Sequence, residues 1–117
     1  MKIGSGFGGG WLTNVAEQAR RAEEAGYDFS SAPETQHDSI LAATIAIANT
    51  EKMEVQTSVT IAFPRSPTVL AMEAWDLQHL SKGRFTLGLG SQVKGHNQNR
   101  FSVDWPGAPA TRMKEYV

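Results

Sequence analysis

The chain has 117 residues, of which 40% are hydrophobic and 20% are charged, and its formal net charge at pH 7 is −1. This length and composition are typical of one compact domain that buries a core. The charge argues against nucleic acid as a partner, because binding a phosphate backbone requires a surplus of Lys and Arg. The absence of cysteine excludes disulfides, thiolate metal sites and a cysteine nucleophile.

Two further classes of protein are disfavoured by the sequence. No apolar run approaches the roughly 18 residues of a membrane helix, and the start of the chain lacks the apolar core of a signal peptide. We therefore expect a cytoplasmic protein with no membrane partner. The three histidines stand alone, without the paired spacing of metal ligands, so no metal site is predicted.

Short β-prone segments alternate with helical segments along the chain. Strands are predicted at Met1–Gly4, Tyr27–Ala32, Met53–Ala62 and Arg84–Leu89. Helices are predicted at Asn14–Ala25, Asp38–Asn49 and Ser66–Gly83, and a fourth begins at Ala110. This alternation predicts an α/β fold of right-handed βαβ units with a mainly parallel sheet.

The segment Gly90–Pro109 shows no periodicity and is predicted to be a loop. A loop of this length is uncommon in a compact domain unless it binds something. The fourth helix is unfinished at Val117, and the outer strands would lack neighbours. We therefore expect a fragment that is not a stable monomer.

The glycine-rich start admits two interpretations. Gly4, Gly6 and Gly9 fit the pattern G-x-G-x-x-G of a dinucleotide-binding loop, with Asp28 or Glu34 as the acidic residue that follows it. Because several further glycines surround this pattern, a chance match is easy, and a flexible loop is favoured.

Glu34 and His37 follow the second predicted strand. In a parallel sheet they would lie at the carboxyl ends of the strands, where ligands bind. A carboxylate beside an imidazole can exchange protons near neutral pH, so both residues are catalytic candidates. The alternative is a solvated pair on a loop. Asp38 is predicted to cap the second helix.

The ends of the third and fourth strands supply further candidates. Phe63 and Arg65 would offer stacking or pairing with an anion, the alternative for Arg65 being an exposed loop charge. The small residues Gly90, Ser91 and Gln92 allow backbone groups to approach a ligand closely. The basic residues that follow suit a phosphate or another polyanionic group, although each could simply be solvated: Lys94, His96 and Arg100.

The segment Ala71–Ser91 resembles the luciferase-like monooxygenase superfamily, and the likeness extends through Glu23–Asp28 and Pro64–Pro67. The tail Gly90–His96 resembles the branch of coenzyme F420-dependent oxidoreductases. The resemblance covers nearly the whole chain. It covers only the first third to half of such a protein, since a (β/α)8 barrel needs roughly 250 residues.

The resemblance implies that residues 1–117 form a single domain, a partial TIM (β/α)8 barrel of about four N-terminal βα units. It implies hydride transfer through FMN or coenzyme F420, bound at the carboxyl ends of the strands. Ser58–Val59 matches a non-prolyl cis peptide behind the cofactor ring. Gly90, Ser91 and Gln92 match the loop that contacts the cofactor, and Glu34 matches a position facing the ring pocket. The positive charge of the segment Gly90–Arg100 separately predicts that a cofactor's charged tail lies there, near Lys94.

Two hypotheses about function follow. In the first, the chain is half of an oxidoreductase site for a small-molecule substrate, completed by a missing C-terminal half or by a second copy. In the alternative, it is a self-associating half-barrel that serves as a structural or binding module without redox activity.

Overall fold

The computed structural model describes residues 1–7 and 10–117. Its strands are β1 (Gly4–Gly6), β2 (Phe29–Ala32), β3 (Glu54–Thr57), β4 (Thr60–Ile61), β5 (Phe85–Thr86) and β6 (Leu89–Gly90). Its α-helices are α1 (Val15–Glu24), α2 (Ser39–Ala48), α3 (Pro67–Leu80), α4 (Lys94–Phe101) and α5 (Pro109–Tyr116). A short 3-10 turn at Leu12–Asn14 leads into α1.

The described strands run parallel, which confirms the predicted α/β class. One sheet has the order β1-β2-β3-β5, and β4 pairs with β6 in a second, two-stranded sheet. The register places Gly4 beside Phe29, Phe29 beside Glu54, and Val55 beside Phe85. Because β4 follows β3 and β6 follows β5 along the chain, the second sheet prolongs the first toward its carboxyl edge.

The third and fourth strands are each interrupted, so the predicted continuous runs Met53–Ala62 and Arg84–Leu89 are wrong. The peptide bond between Ser58 and Val59 is cis and separates β3 from β4. Opposite this break, the carbonyl oxygen of Thr57 lies 2.2 Å from the position that a Cβ atom on Gly88 would occupy. The two interruptions are therefore paired across the sheet.

The first strand lies two to three residues later than the predicted Met1–Gly4. The backbone N–H of Ile3 donates to the Asp28 carboxylate at 2.7 Å, so it is used outside the β1–β2 ladder. The ladder itself begins where Gly4 pairs with Phe29, and a Cβ atom on Gly4 would lie 2.2 Å from the Phe29 ring. Packing thus accounts for this glycine, while Gly9, the third glycine of the pattern, lies outside the described residues.

The first three helices begin and end close to the predicted residues. Helix α1 stops before Gly26, whose φ of +82° suits glycine. Asp38 caps α2, as predicted, by accepting hydrogen bonds from the backbone of Ile40 at 2.8 Å and Leu41 at 3.0 Å. Ser66 occupies the N-cap position of α3 without a side-chain hydrogen bond, ahead of Pro67.

The prediction of a loop at Gly90–Pro109 is wrong, because α4 lies within this segment. Helix α4 is almost entirely polar and buries only Asn97. It therefore has no apolar stripe from which its helical period could be recognised. The next helix, α5, begins at Pro109, one residue before the predicted start.

The core lies between the sheet and the helices α1, α2 and α3, the last of which contributes Leu70 and Leu77. Small side chains on α1 and α2 allow close packing against the sheet, and they meet large residues of β3 and β5. Its fully buried members include Ala19, Ala43, Ala46, Val55 and Phe85. Among the described residues, no helix is long and apolar enough to cross a membrane.

Candidate active site

The loops that follow β2 and β4 meet the end of α4 at the carboxyl edge of the sheet. Between them lies an open cleft of about 400 Å³. Both predicted catalytic residues, Glu34 and His37, line this cleft. The other lining residues come from the loops after β2 and β4 and from α4: Gln36, Asp38, Pro64, Arg65, Arg100 and Phe101.

Glu34 is buried and fully engaged by the chain's own donors. Its Oε1 atom accepts a hydrogen bond from Nη1 of Arg65 at 2.5 Å, and its Oε2 atom accepts one from the Ser39 hydroxyl at 2.5 Å. Only 6% of its side chain is exposed. The alternative of a solvated loop pair is therefore wrong for Glu34, because its carboxylate is part of a buried ion pair.

Arg65 joins two carboxylates of the β2–α2 loop. Besides Glu34, its guanidinium donates to Oδ2 of Asp38 at 2.6 Å and to the carbonyl oxygen of Ile61 at 3.1 Å. Burial acts to lower the pKa of Arg65, but the hydrogen bond and charge of Glu34, together with Asp38, outweigh it and raise this pKa above its ordinary value. Arg65 is thus a cation held inside the fold, and the alternative of an exposed loop charge is wrong.

His37 lies half-buried beside the indole of Trp11, with ring centroids 5.2 Å apart at an angle of 46°. In the described part of the chain, no hydrogen bond or ion pair involves its imidazole. Glu34 differs in this respect, since both of its carboxylate oxygens accept hydrogen bonds. Of the two predicted catalytic residues, Glu34 is thus the one whose side chain is held by hydrogen bonds from described residues.

Ser58 and Val59 are exposed in the middle of an otherwise buried strand. The cis peptide bond predicted between them is confirmed. The flanking residues Thr57 and Thr60 are 3% and 0% exposed, whereas Val59 is 41% exposed. This break therefore presents one polar and one apolar side chain at the carboxyl edge of the sheet.

The segment Gly90–Gln92 lies against this break. A Cβ atom on Gly90 would lie 2.5 Å from Cγ2 of Val59, so the absence of a side chain lets Val59 pack onto the backbone. Gln92 adopts a left-handed backbone conformation with φ of 58°. Val59 thus packs against Gly90, which has an intramolecular reason to be glycine, and the contact of Ser58, Ser91 and Gln92 with a cofactor stays a prediction.

Asn97 supports this segment and was not predicted. Its side-chain nitrogen donates to the carbonyl oxygens of Ser91 at 2.9 Å and Val93 at 3.1 Å. The residue is fully buried, and within the described part of the chain its Oδ1 atom has no hydrogen-bond partner. A lone asparagine in a polar stretch carries no sequence signal that would reveal this role.

The predicted basic group after strand four is spread along helix α4 and is not gathered on a loop. Lys94 begins the helix and Arg100 lies one residue before its end, so their Cα atoms are separated by about 9 Å of helical rise. Arg100 lines the cleft and lies 5.0 Å from the centroid of the Phe101 ring. Lys94 is exposed at the side of the Ser91–Gln92 segment.

Comparison of the sequence with known protein families identifies the family of this chain. The luciferase-like monooxygenase family matches residues 4–117. The chain belongs to this family. Within the luciferase-like monooxygenases, an uncharacterized protein of Mycobacterium tuberculosis is 42% identical over 106 residues, which cover 91% of this chain and 31% of that protein. A putative coenzyme F420-dependent oxidoreductase of the same species is 35% identical over 109 residues, which cover 89% and 30%.

Solved structures show the same fold. The oxygenating constituent of 3,6-diketocamphane monooxygenase from Pseudomonas putida, a complex with FMN, has a TM-score of 0.84 at 16% identity, covering 99% of this chain and 38% of its own. The coenzyme F420-dependent tetrahydromethanopterin reductase of Methanopyrus kandleri has a TM-score of 0.79 at 21% identity, covering 98% and 38%. The chain thus has the fold of part of a luciferase-like barrel, and it spans about a third of the length of the curated relatives it matches.

Proposed function

We propose that this chain forms half of the active site of a flavin- or F420-dependent oxidoreductase that acts on a small-molecule substrate. The observation that carries the proposal is the exposed pair Ser58 and Val59, which interrupts a buried strand beside Gly90–Gln92 at the carboxyl edge of the sheet. Family membership and the FMN complex among the structural neighbours support it.

The residues present fit a flat heterocyclic ring. Val59 offers an exposed apolar surface, and the neighbouring Ser58, Ser91 and Gln92 offer hydroxyl, amide and backbone groups for hydrogen bonding. FMN or coenzyme F420 held here would supply the capacity to exchange a hydride with the substrate.

The cleft at the same carboxyl edge of the sheet would orient the substrate and exchange a proton with it. We assign the proton to the imidazole of His37, because this group lines the cleft and accepts or donates no hydrogen bond among the described residues. Glu34, whose oxygens are both taken, would act on the reaction through the shape and charge of the cleft.

A self-associating half-barrel is the second candidate, favoured by apolar side chains on the outer face of α3. Met72 and Trp75 are 64% and 79% exposed. Among the described strands, β1 pairs only with β2 and β5 only with β3, so the sheet has two open edges. Covering these surfaces calls either for the remainder of a barrel or for a second copy of the chain, and light scattering of the purified chain distinguishes a monomer from a homo-oligomer.

The cofactor proposal is tested by adding FMN and, separately, F420 to isotope-labelled protein and following its amide NMR signals, a method that detects weak binding. We expect shifts at Ser58, Val59 and Ser91 with either or both compounds. Val59→Glu should abolish these shifts, because it places a charge where an apolar contact is proposed.

A matched control is Val69→Glu, since Val69 is 52% exposed on α3 and is not one of the proposed ring contacts. This variant should bind as the parent does. If neither compound perturbs the parent's signals at the carboxyl edge, or if Val59→Glu binds as tightly as the parent, the chain is not a cofactor half-site.

A further inference from the structure

Arg65 lies at one end of a continuous chain of buried polar contacts. Its Nη1 atom donates to Glu34 at 2.5 Å, and the other carboxylate oxygen of Glu34 accepts from the Ser39 hydroxyl at 2.5 Å. The Ser39 and Thr60 hydroxyls share a hydrogen bond of 2.8 Å. Three contacts therefore lead from Arg65 to Thr60.

The residues inside this chain of contacts are held away from water, and Arg65 at its end is only partly exposed. Ser39 and Thr60 are both 0% exposed, Glu34 is 9% exposed, and the Arg65 side chain is 20% exposed. Polar contacts are stronger in such surroundings than in water, and each unpaired member would carry a desolvation cost. Displacing one member is therefore expected to displace its neighbours.

The two ends of the chain lie at functionally different places. Thr60 directly follows the exposed pair Ser58 and Val59, and its backbone N–H donates to the carbonyl oxygen of Gly88 at 2.7 Å. Arg65 lies in the cleft and spans Glu34 and Asp38. The chain of contacts thus connects the wall of the cleft to the strand that carries the proposed ring site.

We infer that Arg65 is a positioning residue that fixes the Ser58–Val59 pair through Glu34, Ser39 and Thr60. Its effect on cofactor affinity rests on the proposed function, whereas its effect on the backbone around Thr60 does not. The planar guanidinium suits this role, because its separate nitrogens reach two carboxylates at once. A lysine side chain retains the positive charge, but it has a single nitrogen and no planar group with separate nitrogens for two carboxylates.

The competing explanation is that Arg65 only neutralises a buried carboxylate. Removing the partner of a buried charge destabilises a protein strongly whether or not it positions anything. The two roles separate in the double variant Arg65→Met/Glu34→Gln, which removes both charges together. A purely neutralising role predicts that this variant recovers both stability and the backbone geometry of the parent.

The experiment compares the parent with Arg65→Met, Arg65→Lys and the double variant, with Arg20→Met as a control on the exposed face of α1. Hydrogen exchange of the amides from residue 57 to residue 62 is measured in every protein without cofactor. Affinities for FMN and F420 are measured by titration, and stability is measured by urea denaturation.

We expect Arg65→Met to lose stability and the double variant to regain most of it. The amides around Thr60 should nevertheless exchange faster in Arg65→Lys and in the double variant than in the parent. Affinity for FMN or F420 should fall by about tenfold or more in both, because the backbone that contacts the ring is displaced. Arg20→Met should match the parent in exchange around Thr60 and in cofactor affinity, and should lose no more stability than its one exposed hydrogen bond to Asn49 contributes.

If the amides around Thr60 exchange hydrogen in the double variant at the same rate as in the parent, the inference is wrong. Arg65 would then only neutralise the charge of Glu34. A parent that binds neither FMN nor F420 would refute the proposed function instead. In that case faster exchange in the double variant would still support the positioning role.

Discussion

The hydroxyl of Thr57 bridges both backbone groups of Gly88 across the interrupted strands. It donates to the Gly88 carbonyl oxygen at 2.9 Å and accepts from the Gly88 N–H at 3.0 Å. The Thr57 carbonyl oxygen lies 2.2 Å from the position of a Cβ atom on Gly88. No side chain fits between these two residues, so residue 88 must be glycine for this geometry to form.

Replacing Gly88 with Ala should therefore destabilise the fold. The added methyl group would push against backbone, which cannot move as a flexible side chain can, and overpacking of this kind costs about 1–3 kcal/mol. We expect a lower midpoint of urea denaturation, followed by circular dichroism. Gly107→Ala is the control, because a Cβ atom there meets no other atom within 4 Å; equal losses in both variants would contradict the explanation.

At the opposite edge of the sheet, Glu23 ties helix α1 to the turn that precedes β3. Its carboxylate accepts backbone hydrogen bonds from Glu51 at 3.0 Å, Lys52 at 2.6 Å and Met53 at 2.8 Å. Burial acts to raise the pKa of Glu23, but these N–H groups and the charge of Arg84 outweigh it. The pKa therefore lies below its ordinary value of 4.5.

A carboxyl group with a lowered pKa stabilises the folded state most where it is ionised in both states. The stabilisation is complete above the pKa of the unfolded chain and is lost as pH falls through the folded pKa. Glu23→Gln should therefore lower the free energy of unfolding near pH 7, by about 1–2 kcal/mol for the lost charge-assisted bonds. The difference from the parent should shrink below the ordinary pKa of 4.5.

Urea denaturation of both proteins between pH 3 and pH 7 measures this difference. Glu24→Gln, at the exposed next position of α1, should leave the free energy of unfolding near that of the parent. A Glu23→Gln difference that stays constant across the acid range would show that the charge of Glu23 contributes nothing.

The elements that local sequence determines were predictable. The structure confirms three features that each depend on a few neighbouring residues. These are the cap of α2 at Asp38, the end of α1 at Gly26, and the alternation of strands and helices that gives a parallel sheet. The cis bond between Ser58 and Val59 was predictable only through the family resemblance. No composition or periodicity of the strand itself indicates that bond.

Features that depend on distant partners were not predictable. Arg65 lies 31 residues from Glu34 and 27 from Asp38. The sequence therefore indicates only that Arg65 could pair with an anion, and it does not indicate that this anion is a carboxylate of the same chain. The interruption at Gly88 depends on the position of Thr57, also 31 residues away. Helix α4 was missed for another reason, since its stabilising burial is concentrated in the single polar residue Asn97.

Asp38 performs two functions that substitutions can separate. One carboxylate oxygen caps α2 and the other binds Arg65. Asp38→Asn should keep the cap, because an amide oxygen also accepts N–H groups, while weakening the contact with Arg65. Asp38→Ala should lose both, with the cap alone contributing about 0.5–2 kcal/mol. Equal free energies of unfolding for the two variants would show that the cap contributes nothing measurable.

The charges of α4 give the last prediction, which concerns the affinity for a negatively charged cofactor tail. Lys94 adjoins the proposed ring contacts at Ser91 and Gln92, whereas Arg100 faces the cleft at the other end of the helix. Replacing both with Gln should weaken binding of FMN or F420 and flatten its dependence on ionic strength, since salt screens exposed charges.

The two single variants should not be equivalent. Lys94→Gln should account for most of the lost affinity, because Lys94 lies at the N-terminal end of α4, where the helix dipole also favours negative charge. Lys52→Gln is the control, since Lys52 precedes β3 at the opposite edge of the sheet, and it should change neither affinity nor salt dependence. The measurements are titrations at low and high salt. Identical titration curves for the double variant and the parent at both salt concentrations would mean that these charges are only solvated. A larger loss of affinity for Arg100→Gln than for Lys94→Gln would instead place the charged tail over the cleft.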